Sequence, residues 1–477
     1  MEYSSAEEIA RRLFDSHSTY REKALTHRRF RHSDIVPLLN ALRQHSPFDI
    51  SKVGESFENR AIYQVTAGTG PARVLLWSQM HGDEATATMA LFDIFNFLRA
   101  AGDGFDDIRQ TILQNTTLYF VPMLNPDGAE RFQRRTATDI DMNRDALRLQ
   151  TPEGALLKKL QQELQPLVGF NLHDQNPRYS VGKTGRQAVM SFLATAYDEE
   201  RSINEVRRRS MQLIVGMNRV LQSFIPGQIG RFDDEFEPRA FGDNIQKWGT
   251  TLVLIESGGY KGDPEKMAIR QLNFVAILTA LLALANGSYQ QEDTAEYQVI
   301  PENGRLLFDV LIRNATVMQN GKPVVLDLGI NRYEITTDSV QYEATPGFYY
   351  RSVIEDIGDL STFTGLEEID ATGLILAPLG VYSEQLESAD DLNRLAIDDL
   401  RKQGIAAFRV KQSNPDVAPK QPVHLLVTEK LPADPLLVGQ SPSFQLLVNS
   451  QPAFVFINGF YENRTINVNF LSNGIAE

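Results

Sequence analysis

The sequence predicts an α/β fold, a mixed and largely parallel sheet flanked by helices, joined to a second domain that is mostly a β-sandwich. Three observations predict it. Strand-like and helix-like stretches alternate over the first ~290 residues. Polar residues with chemical potential sit where those strands end. Beyond a polar stretch, Gly287–Tyr297 (GSYQQEDTAEY), the texture changes to short alternating strands.

Taken in order, Arg73–Gln79 (RVLLWSQ) is a β-branched and apolar run that reads as a buried strand. The loop Met80-His81-Gly82-Asp83 follows it, and a helical pattern runs from Glu84 to about Arg99. Thr117–Met123 (TLYFVPM) is a second strand, stopped by the turn residues Asn125-Pro126-Asp127-Gly128. Pro152 suits the first position of a helix through GALLKKLQQEL. Val168–Leu172 and Thr250–Ile255 are further strands, followed by His173 and by Glu256-Ser257-Gly258-Gly259. These readings place a first domain at 1–288 and a second at 299–477, with a helix around Ala389–Gln403 interrupting the β texture.

Composition narrows the function classes. A formal net charge of -14 over 477 residues argues against a nucleic-acid partner, which needs a basic face, and against docking on anionic membranes. The chain has no cysteine, so disulfides, thiolate catalysis and cysteine-held metals are excluded. The apolar run Phe274–Ala285 is too short for a membrane span and predicts a buried helix. With no signal-peptide pattern at the N-terminus, a cytoplasmic location is expected; the oligomeric state is not legible.

In open α/β sheets, ligands bind beyond the carboxyl ends of the strands, and His81, Glu84, Asn125, His173 and Glu256 all fall just after a strand. His81 and Glu84, three residues apart at a helix entrance, can turn toward one point. A third ligand from a distant strand completes a two-His, one-Glu site with one zinc position open. The bland alternatives are an acidic helix N-terminus for Asp83 and Glu84 and a hydrogen-bonded structural histidine for His173.

The segments HGDE, NPDG, RRT, DMNRD, NLHDQ and LIESGG resemble, in the same order, the signature segments of the M14 zinc carboxypeptidases. The lead-in Val53-Gly54-Glu55-Ser56 and Asn59-Arg60-Ala61-Ile62 is similar too, so the likeness covers about residues 15–285. The resemblance implies one Zn2+ per chain, held by His81, Glu84 and His173. It implies that Glu256 is the general base toward the activated water and then protonates the leaving amine. Arg134 matches the oxyanion-stabilising arginine, with its neighbour Arg135 as the alternative. Asn143 and Arg144 match the pair that grips a terminal carboxylate, so the implied substrate is a peptide or amide with a free carboxylate. An N-acyl amino-acid deacylase of the aspartoacylase-like type and a non-catalytic zinc-containing binding protein are the other readings. The NPDG and IESGG segments favour the peptidase, and the retained Glu256 argues against a pure binding protein.

The sequence departs from that family in one place. Family members carry a substrate-closing tyrosine before the catalytic glutamate, whereas no tyrosine lies between Tyr197 and Tyr260. Phe236, Phe241, Asp243 and Asn244 are the candidates to line the pocket there. The acidic run Asp233–Glu237 reads as a solvated loop, with a cation-preferring pocket wall as the alternative. Asp174 stays open between orienting a metal ligand and capping a loop.

In the second domain, Leu307–Ile330, Ile354–Gly380 and Leu437–Gly459 resemble the composite β-sandwich of the amidohydrolases, without the metal-binding barrel those enzymes carry. An unrelated accessory β domain is the other reading. His424 is the only histidine after His173, which speaks against a second metal site.

Overall fold

In the computed structural model, which describes residues 5–44, 47–336, 348–412, 421–426, 436–463, 468–469 and 475–476, the chain falls into two units, Met1–Arg305 and Leu306–Glu477. The strands of the first unit are β1 (Phe48–Glu55), β2 (Ala61–Ala67), β3 (Ala72–Ser78), β4 (Thr116–Val121), β5 (Val168–Asp174), β6 (Ser180–Val181), β7 (Met190–Leu193), β8 (Ile229–Arg231) and β9 (Thr251–Ser257). All but β6 form one eight-stranded sheet in the order β1-β2-β4-β3-β5-β9-β7-β8. Its centre, β4-β3-β5-β9, is parallel, while β1, β2 and β7 bring antiparallel pairings to the flanks.

Side-chain alternation along the central strands decides the layers. Val74 and Leu76 of β3 join one apolar core, and Leu75 and Trp77 join another on the opposite face. Val168, Phe170 and Leu172 of β5, with Val253 and Ile255 of β9, face the first core. That core is closed by α1 (Ala6–Tyr20), α3 (Thr86–Arg99), α4 (Asp106–Asn115), α7 (Glu205–Leu221) and α9 (Met267–Asn286). The second core takes α6 (Pro152–Leu164) and α8 (Phe241–Lys247), whereas α2 (His32–Leu42) and α5 (Pro126–Glu130) add Ile35, Leu39, Leu42 and Ala129 to the first. Thr151 caps α6 by accepting from the Gly154 amide at 3.0 Å, and Pro152 takes the first helical position expected of it.

A buried polar cluster pins three helices of the first core. Arg270 of α9 donates Nε and Nη2 to Asp93 of α3 at 2.7 and 2.5 Å, and His17 of α1 lies 2.8 Å from the same carboxylate. Arg270 and Asp93 are fully buried, so either charge alone would be strongly destabilising.

Two boundaries differ from the sequence reading. The helix α9 is 20 residues, longer than the Phe274–Ala285 run, and its length and composition alone would let it cross a membrane. Most of its side chains are buried against α1, α3, α4 and α7. The stretch Gly287–Tyr297 is no linker: it folds into a 3-10 turn at Ser288–Gln291 and the short helix α10 (Ala295–Gln298). Tyr297 is fully buried and accepts from the Ala194 amide at 3.0 Å, while β10 (Asn303–Gly304) pairs with β6. These contacts keep the chain in the first unit as far as Arg305 rather than residue 288.

The second unit is mostly β. Long antiparallel strands β11 (Leu307–Gln319), β12 (Lys322–Thr336) and β13 (Phe348–Gly358) lead a nine-stranded sheet, and a five-stranded sheet accompanies it. Leu379, Ala406, Ala407 and Leu426 pack with Val455 and Ile457 to join the two sheets. The expected helix at Ala389–Gln403 is split into a 3-10 turn, Ala389–Arg394, and α11 (Ile397–Lys402).

Candidate active site

Strand parity brings two site residues side by side. His173 and Glu256 are register partners in the parallel pair β5 and β9, and both lie within their strands rather than just past them. With Phe170, Leu172, Val253 and Ile255 committed to the first core, His173 and Glu256 emerge on the opposite face.

His81 and Glu84 come from the loop between β3 and α3, not from the helix, which starts at Thr86. That loop is a turn closed by the Glu84 amide on the His81 carbonyl at 3.2 Å. A Cβ at Gly82 would stand 2.0 Å from the backbone carbon of Gly128, so only glycine lets this loop lie against the Asn125–Gly128 turn. Asn125 ties the two together, donating its side-chain amide to Met80 O at 3.2 Å and its backbone N–H to Gln79 O at 2.9 Å.

The three proposed ligands converge. His81 Nδ1 lies 2.8 Å from Glu84 Oε1 and His173 Nδ1 lies 2.6 Å from Glu84 Oε2. One ligand atom of each residue falls within 4.8 Å of the others, and all three side chains are buried. Two imidazoles and a carboxylate are a donor set that suits zinc, and the buried His173 Nε2, Asp83 Oδ1 and Glu256 Oε2 have no hydrogen-bond partner among the described residues.

Electrostatics point the same way. Burial pushes Glu84 up, but the charges and hydrogen bonds of His81 and His173 outweigh it and hold the carboxyl well below its usual range. Burial pulls His81 down, yet Glu84 and Asp141 raise it to about 9. His173 is lowered by burial. Burial and the Glu84 charge raise Asp83 to about 6 and Glu256 well above the carboxylate range. A crowd of buried carboxylates that drives protons onto its neighbours is an environment that a cation relieves.

Asp141 was not assigned from the sequence, although it lies inside the DMNRD segment. Its Oδ1 is 3.1 Å from His81 Nε2, on the far side of the ring from Glu84, and it also accepts from the Asn143 amide at 2.9 Å. A ligating histidine needs a partner on its second nitrogen, and that requirement was the available signal. Asp141→Asn, which keeps the Oδ1 that faces His81 and Asn143 but removes the negative charge, is expected to weaken zinc affinity by about 10-fold in chelator competition.

Asp174 orients no ligand directly. Its Oδ2 accepts from Thr86 Oγ1 at 2.6 Å and from Lys266 Nζ at 2.9 Å, tying the end of β5 to the starts of α3 and α9.

Of the two neighbouring arginines, Arg134 reaches the site. Its Nη1 donates to Glu84 Oε1 at 3.2 Å, and its Nη2 donates to Asp141 Oδ2 at 3.1 Å. Arg135 turns away to the Asp139 carbonyl at 2.9 Å.

Asn143 and Arg144 lie on a 3-10 turn, Met142–Arg144. Asn143 Oδ1 accepts from the Phe241 amide at 2.9 Å, and Arg144 Nε stands 3.1 Å from Glu237 Oε2. In the acidic run Asp233 and Glu235 are exposed, as a solvated loop has them, while Asp234 and Glu237 are paired with arginines. Asp234 pairs with Arg201 and Arg207, each at 2.9 Å, and Glu237 pairs with Arg144 and Arg239. Among the residues considered in place of the tyrosine, Phe241 is fully buried in the second core. Asn244 donates to Pro238 O and Ala240 O within its own helix start. Asp243 is buried, accepts from the Glu237 amide at 3.1 Å and is pushed up by burial to about 7.

Several known proteins are similar to parts of this chain. The chain is similar to the carboxypeptidase 2 proteins of Trichophyton rubrum and Trichophyton tonsurans, each 28% identical over 102 residues, or 21% of this chain and 18% of theirs. It thus spans about a fifth of the length of the curated relatives it matches. Among solved structures it is similar to a metallo-carboxypeptidase from Burkholderia cenocepacia, with 16% identity, 54% of this chain and 69% of that one covered, and a TM-score of 0.44. Carboxypeptidase A from Helicoverpa armigera shares 14% identity over 59% of this chain and 80% of its own, with a TM-score of 0.44. Residues 35–164, which include His81, Glu84, Arg134, Asn143 and Arg144, match the model of the Peptidase_M14 family, zinc carboxypeptidase.

Proposed function

We propose that this protein is a zinc metallocarboxypeptidase that hydrolyses the C-terminal peptide bond of a substrate with a free carboxylate. The convergence of His81, Glu84 and His173, with Glu256 beside His173 in register, carries the reading. The family match over residues 35–164 supports it. A zinc ion held by the three ligands would polarise the scissile carbonyl and acidify the attacking water.

The chain's own groups supply the remainder. Glu256 presents a buried oxygen that has no hydrogen-bond partner among the described residues. It takes a proton from the attacking water and returns it to the leaving amine nitrogen, so its own charge is restored at the end of the reaction. Arg134, at the rim beside Glu84, faces the negative charge that develops on the carbonyl oxygen. The side-chain amide of Asn143 and the guanidinium of Arg144 hold the terminal carboxylate and set which bond lies over the site. The mostly-β second unit serves in this reading as a structural or interaction module.

Amidating the terminal carboxylate of a cleavable peptide tests the reading. Losing a charge-assisted hydrogen-bond pair should lower kcat/KM by about 10- to 100-fold. Equal rates for acid and amide would remove the exopeptidase assignment.

A further inference from the structure

We infer that Glu237, itself held by Arg239, is a positioning residue that sets the Arg144 guanidinium for the substrate's terminal carboxylate; this rests on the carboxypeptidase reading above. The contacts around Arg144 divide its donors. Glu237 Oε2 meets the Nε side at 3.1 Å, and Nη1 donates to the Asn143 carbonyl at 2.7 Å. Among the described residues, those two contacts leave Nη2 for a ligand. Asn143 is divided in the same way: its Oδ1 accepts from the Phe241 amide at 2.9 Å, so its Nδ2 donors are what it can offer a carboxylate.

Glu237 is not a loose surface carboxylate. Arg239 grips it through Nε at 2.9 Å and Nη2 at 2.8 Å, and the Arg239 amide adds a third contact at 3.1 Å. These hydrogen bonds hold its carboxyl below the usual range, so it stays ionised. The backbone joins the same two segments, because the Ala146 amide donates to the Arg239 carbonyl at 3.1 Å. Residues 237–241 therefore form a template along residues 143–146, with Glu237 at Arg144, Arg239 at Ala146 and Phe241 at Asn143. An arginine free at all five donors would sample many rotamers and lose entropy on binding; one fixed on a single side meets a carboxylate already oriented.

Binding rather than turnover provides the test. The full-length zinc-loaded protein carrying Glu256→Gln is titrated by calorimetry with a peptide ending in a free carboxylate and with its C-terminal amide. Adding Glu237→Gln should weaken binding of the acid about 3- to 5-fold and leave the amide unchanged, the size expected of one partly exposed ion pair. Arg239→Ala should act in the same direction. Unaltered zinc content and Tm show that both variants are folded. Tighter binding of the acid in Glu237→Gln would mark Glu237 as an internal competitor and overturn the proposal, as would an unchanged acid-to-amide ratio. If the parent protein itself does not distinguish acid from amide, the carboxypeptidase reading fails and this inference falls with it.

Discussion

Glu256→Gln is expected to lower kcat by about 10²- to 10⁴-fold, the usual contribution of a general base, while zinc stoichiometry stays at the wild-type level. Glutamine keeps the shape of the side chain and removes only its capacity to take a proton. Glu256 is not among the three converging ligands, so metal binding has no reason to change. Its position on β9 is fixed by register with His173, and its neighbours Ile255 and Leu254 pack independently of its charge. Metal analysis of the dialysed variant beside steady-state kinetics separates the outcomes. Retained turnover would strip Glu256 of the role, and simultaneous loss of zinc would make it part of the metal site.

His173→Ala should have the larger effect, abolishing measurable hydrolysis and stoichiometric zinc together. In the proposed site the ring supplies one of three ligands, and its Nδ1 lies 2.6 Å from the buried Glu84 carboxylate. In the wild-type protein, zinc at about 100 times its Kd should stabilise the fold by ~2.7 kcal/mol, a rise in Tm on the order of 5 °C. Chelation should reverse that rise, and the variant should show no zinc-dependent shift. A Tm that responds equally to zinc in wild type and variant would place the metal elsewhere. The pair of variants separates base from ligand: Glu256→Gln keeps the thermal response and His173→Ala loses it.

The legible part of the site was carried by residues whose spacing is local. His81 and Glu84 share one turn, and Asn143 and Arg144 share another, so their joint presence could be read directly. The strand ends could be located because buried parallel strands are continuous apolar runs, as in Thr251–Ile255 and Val168–Leu172. Asp141, Lys266 and Glu237 were not legible as partners, for a common reason. Each acts through a contact with a residue distant in the sequence: Asp141 with His81, Lys266 with Asp174, and Glu237 with Arg144. A charged residue in a loop reads as solvated until the partner across the gap is known.

By itself the sequence determined the alternation of strands and helices, the order of the candidate ligand and base residues, and the β texture of the second unit. Each rests on local periodicity or on the chemistry of a short segment. Only the tertiary structure decided the rest. Register placed His173 against Glu256, close packing at Gly82 fixed the loop of His81 and Glu84, and arginines paired with Asp234 and Glu237. Burial of Tyr297 carried the first unit on to Arg305. These outcomes depend on which strand lies beside which and on which charges lose their water together, and neither is set by any single stretch of chain.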